Sequence, residues 1–482
     1  MGGFIGGLSV SNQFWIVLMP ISLSVLWNGF KEIRSNFSWG FFFVFTSHFW
    51  LLHLHPLTWL GYSWFASLII ALSILLTCSI AGGGLISLWG LIGKKIFLKN
   101  LFSYSNFQIC IKVLFLAFLW ALGELVLKQT PFFWIGISES LIPGDLSLAG
   151  LARWCGASGL CVIQISIGFW IFLMYKRWRS NIHFQNLLYF GIAIILAFHF
   201  LGAFLISQNT RSNGYYPIAV WQTNIPTREK RFIDNKTMSK KLIKAQKEAL
   251  SRDAKLLIAP EGTLNKNFIM DNQSLIDTLA GGFRVSDDHL KSTLLAIKKG
   301  NKTYTSFIDK NRLVPLGENV PRFLNRFSIG FSSLGGLRAG EDSRYFNWDK
   351  TPPLAIAICY EISDGFKIRK AIESGSELII SIANLDPYPV TIQQQFISLA
   401  SMRSIENNRD NVIISNTGPS GLIRNNGRIS NLLNSSADYI KVVYPNFYEQ
   451  KTIYVRFGEK PFLVLFILLI SLNFRYSSRS TN

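Results

Sequence analysis

Hydrophobic positions along the chain follow two regimes. In residues 1–208 they form long unbroken runs, over 12–29, 38–60, 64–93, 109–127, 155–175 and 187–207, and one more run covers 460–474. About 20 apolar residues cross the hydrocarbon of a bilayer, so each run predicts a membrane-spanning helix. The run 64–93 is long and holds Gly82-Gly83-Gly84; it counts once, as a span that tilts, breaks or re-enters. Residues 209–459 carry short apolar stretches between turn residues instead. There 256–259 and 354–358 predict buried strands, and 238–251 predicts an exposed helix. The expected organisation is a membrane domain over 1–208 with about six transmembrane helices. An α/β domain over 209–459 follows, then a C-terminal transmembrane helix and tail over 460–482.

Composition agrees with that division. Of 482 residues 49% are hydrophobic, with 39 Phe and 14 Trp, which excludes an ordinary soluble protein. Charge then orients the spans. Lys31 and Arg34, then Lys94, Lys95 and Lys99, then Lys176, Arg177 and Arg179 mark every other loop. Basic loops stay on the cytoplasmic side, so the amino terminus and the domain 209–459 are expected outside, and the tail with Arg475 and Arg479 inside. No basic residue opens the chain as a signal peptide would require. The formal charge of +20 includes a basic run over 228–247, which reads equally as a solvated helix face or as a surface for anionic head groups. No base-reading motif accompanies it, so nucleic acid is not an expected partner.

Chemistry concentrates at three strand ends. Cys359 closes the run 354–358 and precedes Tyr360 and Glu361; Glu261 follows 256–260; Lys310 ends the segment 304–310. Open α/β sheets carry their sites at such ends. A lone Cys there is often plain core, but this one is the single cysteine of residues 209–459. It therefore has no disulfide partner within the domain, and reactivity is the more informative expectation. A thiol nucleophile needs a base. The domain's one histidine, His289, lies in a polar stretch, and no His or Cys pair has metal-ligand spacing. Glu261, Glu318 and Glu361 remain as candidate bases. Pro260 and Gly262 hold Glu261 in a turn, and Lys310 supplies positive charge for an oxyanion.

These residues also carry a resemblance. Ala259-Pro260-Glu261-Gly262, then Lys310-Asn311-Arg312-Leu313-Val314-Pro315-Leu316-Gly317-Glu318, then Ile358-Cys359-Tyr360-Glu361 resemble, in order, the three signature blocks of the nitrilase (carbon–nitrogen hydrolase) superfamily. With spans on both sides, the wording resembles its apolipoprotein N-acyltransferase family. Residues 220–226, 415–418 and a helix over 395–409 with Ala400, Arg403, Glu406 and Arg409 add to the likeness. The resemblance implies an αββα sandwich on the outer face of the bacterial inner membrane. It implies Cys359 as nucleophile, Glu261 as base and Lys310 as oxyanion stabiliser, with Glu318, Tyr360, Glu361 and Asn384 supporting the pocket. It also implies a phospholipid acyl donor, a Cys thioester, and transfer to the amine of a diacylglyceryl-modified cysteine of an apolipoprotein. Such chemistry uses no cofactor or metal. The rival expectations are a membrane-tethered amidase of the superfamily and a silent scaffold.

The chain departs from the family in places. Seven apolar runs stand where the family usually has eight spans. Asn384-Leu385-Asp386-Pro387-Tyr388-Pro389 replaces a typical Asn-Asp-Ala-Trp-Phe segment, and Arg231-Phe232 stands where Trp is frequent. Three further expectations concern membrane contact. Residues 323–331 are apolar and read as a loop dipping towards lipid or as a segment packed on the spans. Glu124 lies inside a span, a functional candidate unless it pairs with Lys128 or a backbone group. Trp134 is expected to anchor at the interface.

Overall fold

The computed structural model describes the chain apart from residues 12–14, 59–60, 99–100, 209–211, 231, 316, 319–335, 350, 387, 434–436 and 479–482. The expected loop at 323–331 lies outside the described residues. The first half contains α1 (Gly2–Ser11), α2 (Leu18–Gly29), α3 (Ile33–Ser47), α4 (Trp64–Ile96), α5 (Asn106–Lys128), α6 (Leu146–Ala149), α7 (Ala152–Arg179) and α8 (Gln185–Ser207). Among the described residues α4, α5, α7 and α8 are long and apolar enough to cross a membrane.

The run 460–474 yields an apolar stretch over Lys460–Asn473 that is shorter than a span among the described residues, and two further predicted spans differ from expectation. The run 12–29 yields the twelve-residue α2, joined by α1, an apolar helix that the sequence reading left out. The Ser22 hydroxyl, on α2, donates to the Gly2 carbonyl at 2.7 Å and ties the two together. The run 38–60 is not one helix either. It stops at Ser47, and a 3-10 turn covers Phe49–Leu54; Pro56 then disfavours a helical conformation at His55. The glycines of 82–84, by contrast, do not break α4. A Cβ on Gly40 would lie 2.5 Å from the Gly82 carbonyl oxygen, and one on Gly82 would lie 2.4 Å from Val44. These glycines let α3 and α4 approach closely, as small residues do between membrane helices.

The second half is an αββα sandwich. Its strands are β1 (Ile218–Gln222), β2 (Leu256–Leu264), β3 (Asp277–Ser286), β4 (His289–Ile297), β5 (Ser306–Asp309), β6 (Tyr345–Phe346), β7 (Leu354–Ile358), β8 (Leu378–Ala383), β9 (Asn411–Ser415), β10 (Ser420–Ile423), β11 (Ile429–Leu433) and β12 (Tyr439–Val443). One sheet runs β12-β1-β2-β3-β4-β5 and the other β11-β10-β9-β8-β7-β6. At the centre of each, β1-β2-β3 and β7-β8-β9 are parallel.

Side chains alternate across a strand, and β7 shows the consequence. Leu354, Ile356 and Ile358 enter the core between the sheets with Leu256, Ile258, Leu378, Ile380 and Ile382. Ala355 and Ala357 face the other way, towards helices. The remaining helices are α9 (Thr227–Lys230), α10 (Asn235–Ser251), α11 (Gly365–Glu373), α12 (Val390–Asn407), α13 (Ile453–Phe457) and α14 (Lys460–Ser478). α10 covers the first sheet through Met238, Leu242, Ala245 and Ala249. α11 and α12 cover the second, and α12 is buried along most of its length because membrane helices pack on its far side. Glu406 of α12 accepts from the Ala157 N–H at 2.9 Å, at the point where α7 is interrupted at Gly156.

Candidate active site

Glu261 does not simply follow a strand, as the sequence suggested. β2 continues to Leu264, and the register slips between Ala259 and Leu264, so Glu261 projects from a bulge. Gly262 has φ +68° there. On the neighbouring strand a Cβ at Gly281 would lie 2.5 Å from the Glu261 Cα, so the bulge rests directly on glycine backbone. Lys310 leaves β5 on the same sheet. Cys359 leaves β7 on the other, opening a 3-10 turn over Cys359–Ser363 with φ +54°, a strained position for a residue with a side chain.

The sandwich brings these ends together. Lys310 is fully buried, and its Nζ donates to Glu261 Oε1 at 2.8 Å and to Glu318 Oε1 at 2.7 Å. Glu318 Oε2 accepts from the Val314 N–H at 2.8 Å, and Glu261 Oε2 from the Asn384 N–H at 3.2 Å. Burial alone would lower the Lys310 ammonium, but Glu261 and Glu318 outweigh it and hold it well above its ordinary value. Burial, then Glu261, push the Glu318 carboxyl up against the pull of Lys310. Cys359 keeps part of its surface open, yet the protein around it pushes the thiol up. The charge of Glu261 and a hydrogen bond with it act in the same direction, and Lys310 opposes them. The resting thiol is therefore neutral and needs a base.

Glu361 braces the cluster from behind. It accepts from the N–H groups of Asn311 (2.6 Å) and Arg312 (3.3 Å) on the lysine block and of Ile358 (2.8 Å) on the cysteine block. Buried Arg344 donates to both of its oxygens, at 2.9 and 3.1 Å. Tyr360 turns towards the segment after α5, its hydroxyl donating to the carbonyls of Pro131 (2.8 Å) and Phe133 (3.0 Å). The Asn384 side chain donates to Thr227 at 3.0 Å and accepts from Asn416 at 3.2 Å.

Sequence reasoning missed Arg344, Lys230 and Tyr388. Lys230 is nearly buried, with Nζ donating to the Glu261 carbonyl at 3.2 Å. Burial lowers it to about 8, against the pull of Glu261 and Asp386. Tyr388 sits beside Cys359, Glu318, Lys310 and Glu261, and burial raises its phenol. Its loop differs from the family wording, the one signal available for it. Trp134 is not an exposed anchor. It is buried, stacks on Tyr360 with ring centroids 5.4 Å apart and donates to Gln395 at 2.8 Å. Glu124 accepts from Trp120 (3.0 Å) and from the Ile137 N–H (3.3 Å), the helix-pairing alternative.

Two sheets between helices, a glutamate on a strand bulge meeting lysine and cysteine side chains at strand ends, and attached apolar helices define a membrane-embedded protein of the nitrilase-like class. No protein-family model matches the chain. It is 56% identical to an apolipoprotein N-acyltransferase of Prochlorococcus marinus subsp. pastoris, over 100% of this chain and 97% of the relative. It is 39% identical to one from another Prochlorococcus marinus strain, over 98% and 95%, and 25% identical to one from Thermotoga maritima, over 98% and 90%. The chain belongs to the apolipoprotein N-acyltransferase family and is a membrane-bound acyltransferase. Among solved structures it is similar to a nitrilase-superfamily member from Saccharomyces cerevisiae, with 15% identity, coverage of 49% of this chain and 91% of that one, and a TM-score of 0.37. It is also similar to an amidase from Nesterenkonia, with 13% identity, coverage of 52% and 95%, and a TM-score of 0.37.

Proposed function

We propose that the protein moves an acyl chain from a phospholipid, through a thioester on Cys359, to the amino-terminal amine of a diacylglyceryl-modified cysteine in apolipoproteins. The observation that carries this reading is the buried Lys310, bonded to Glu261 at 2.8 Å and to Glu318 at 2.7 Å on the sheet facing Cys359. Glu261 takes the thiol proton as sulfur attacks the ester carbonyl. The Lys310 ammonium and the backbone N–H after Cys359 stabilise the oxyanion. Collapse expels the lysophospholipid alkoxide, which takes the proton from Glu261. The acceptor amine then attacks the thioester, Glu261 removes its proton, and the thiolate leaves and is reprotonated, giving an amide. Glu318, Tyr360, Glu361 and Asn384 support the pocket.

In this reading residues 1–208 and 460–482 hold the protein in the bacterial inner membrane, and 209–459 form the catalytic domain on its outer face. Basic loops on alternate connections support that orientation. Both substrates are lipid-anchored, which accounts for a catalytic domain packed on membrane helices.

Mass spectrometry after incubation with phospholipid tests the donor step. Wild type is expected to gain one acyl chain, removable by hydroxylamine, and Cys359→Ala none; adding a diacylglyceryl peptide then discharges the chain onto its amine. A folded wild type that never acquires the adduct defeats the reading. Discharge to water with the peptide present turns it into an amidase-type hydrolysis.

A further inference from the structure

The segment that follows α5 is pinned to both catalytic blocks, and one side chain does most of the pinning. Arg312 lies two residues after Lys310, and it is buried. Its Nη1 donates to the Lys128 carbonyl at 2.7 Å, and its Nη2 to the carbonyls of Thr130 at 2.6 Å and Phe133 at 3.1 Å. Nη1 also lies 3.6 Å from Asp364 Oδ2, and the guanidinium stands 5.2 Å from the Tyr360 ring centroid. Tyr360, one residue after Cys359, bonds the carbonyls of Pro131 and Phe133 from the other side. Trp134 closes the arrangement by stacking on Tyr360 and bonding Gln395, whose amide donates to the Ser47 carbonyl at 2.9 Å.

Lys128 ends a helix long enough to cross the bilayer. The pinned segment is therefore the joint between the membrane and the chemistry, and it presents Phe133, Trp134 and the Tyr360 ring beside the cysteine block. A planar guanidinium suits this task, because its fork reaches several carbonyls at fixed angles.

We propose that Arg312 is a positioning residue for lipid substrates: it holds residues 128–134 against Tyr360 as the membrane-side wall along which an acyl chain reaches Cys359. The proposal rests on the reading of Cys359 as the acylated residue. It separates positioning from chemistry, because none of the side-chain contacts of Arg312 involves Glu261, Lys310 or Cys359. The one bond from Arg312 that braces the cluster is its backbone N–H to Glu361, which a substitution retains.

The test compares two acyl donors on the full-length protein in detergent: phosphatidylethanolamine in mixed micelles and the water-soluble ester p-nitrophenyl butyrate. For Arg312→Ala, acyl-enzyme formation from the phospholipid is expected to fall about 10–100-fold, the scale of a misplaced substrate. Acylation by the soluble ester should stay within about threefold of wild type, since the reacting groups are intact. Arg312→Lys should restore the phospholipid rate only in part, because one ammonium cannot span three carbonyls; if the alanine variant does not fold, the ratio of the two donors in Arg312→Lys carries the comparison. Equal losses on both donors, or no loss on either, overturn the proposal. A wild type that forms no thioester with either donor overturns the acyl-transfer reading itself, and this proposal with it.

Discussion

Arg344→Met removes the one side chain that, among the described residues, is paired in charge with Glu361. Both groups are almost fully buried, at 1% and 2% side-chain exposure, so water cannot take over the lost interactions. The variant loses two bonds to Glu361, a third, at 2.8 Å, to the Asp309 carbonyl and a fourth, at 2.5 Å, to the Glu341 carbonyl. Three backbone N–H groups still face the carboxylate, but they carry no full charge. Breaking a buried pair from one side costs about 3–5 kcal/mol, a large share of the roughly 5–15 kcal/mol that holds a domain folded. For a unit of this size each kcal/mol moves the midpoint about 2–4 °C, so the melting transition should drop by roughly 6–20 °C. Thermal unfolding in detergent followed by tryptophan fluorescence reads this directly. Below the new midpoint acyl-enzyme formation should also slow, because Glu361 ties Ile358 to Asn311 and thereby Cys359 to Lys310. The double variant Arg344→Met/Glu361→Gln, which removes the orphaned charge, should lie above the sum of the single effects. A single variant melting within about 2 °C of wild type, or strict additivity, would refute the bracing argument.

Two other outcomes follow from the same geometry. Gly281→Ala places a Cβ 2.5 Å from both the Glu261 Cα and the Pro260 carbonyl oxygen, which backbone cannot evade cheaply. A cost of about 1–3 kcal/mol is expected, with acylation slowed more than melting is lowered, whereas Gly84→Ala, open on all sides within 4 Å, should alter neither. Lys230 gives a pH signature. Its folded value near 8 lies below the ordinary 10.5, so between those values the unfolded chain binds more protons and stability contributed by this site rises with pH. Its charge destabilises the fold below about 8 and ceases to do so above 10.5. The stability of wild type relative to Lys230→Met should accordingly improve between pH 7.5 and 9.5; a difference that is flat across that window contradicts the burial argument.

Much of the architecture was legible because it depends on local patterns. The apolar lengths of α4, α5, α7 and α8 follow from bilayer thickness. The run 354–358 reads as a strand from its alternating large and small apolar residues, and the structure uses that alternation to separate the inter-sheet core from the helix face. Where two local rules competed, the reading erred. Apolar length suggested one helix over 38–60, but Pro56 and the turn after Ser47 prevailed. Gly82-Gly83-Gly84 left a tilted, broken or re-entrant span open, and the neighbouring helix uses the glycines for close packing within one continuous helix.

The candidate site divides in the same way. Glu261, Lys310 and Cys359 could be named from the sequence, since Glu261 and Cys359 adjoin apolar runs that read as strands and Lys310 opens the motif 310–318. That Lys310 bridges Glu261 to Glu318, and that Glu361 clasps both blocks, depends on two sheets meeting face to face. Arg344 reaches Glu361 because β6 pairs with β7 at Tyr345 and Ala355, a register no local pattern specifies. Arg312 finds its partners among carbonyls 179 to 184 residues earlier, and every residue except its context offers the same carbonyl. Sequence alone determined the long apolar helices α4, α5, α7 and α8, the strands begun at 256–259 and 354–358 and the candidate side chains for chemistry, because those properties belong to the residues themselves. Only the tertiary structure decided which charges share a buried pocket and what braces them, because burial and pairing are properties of the space between distant segments.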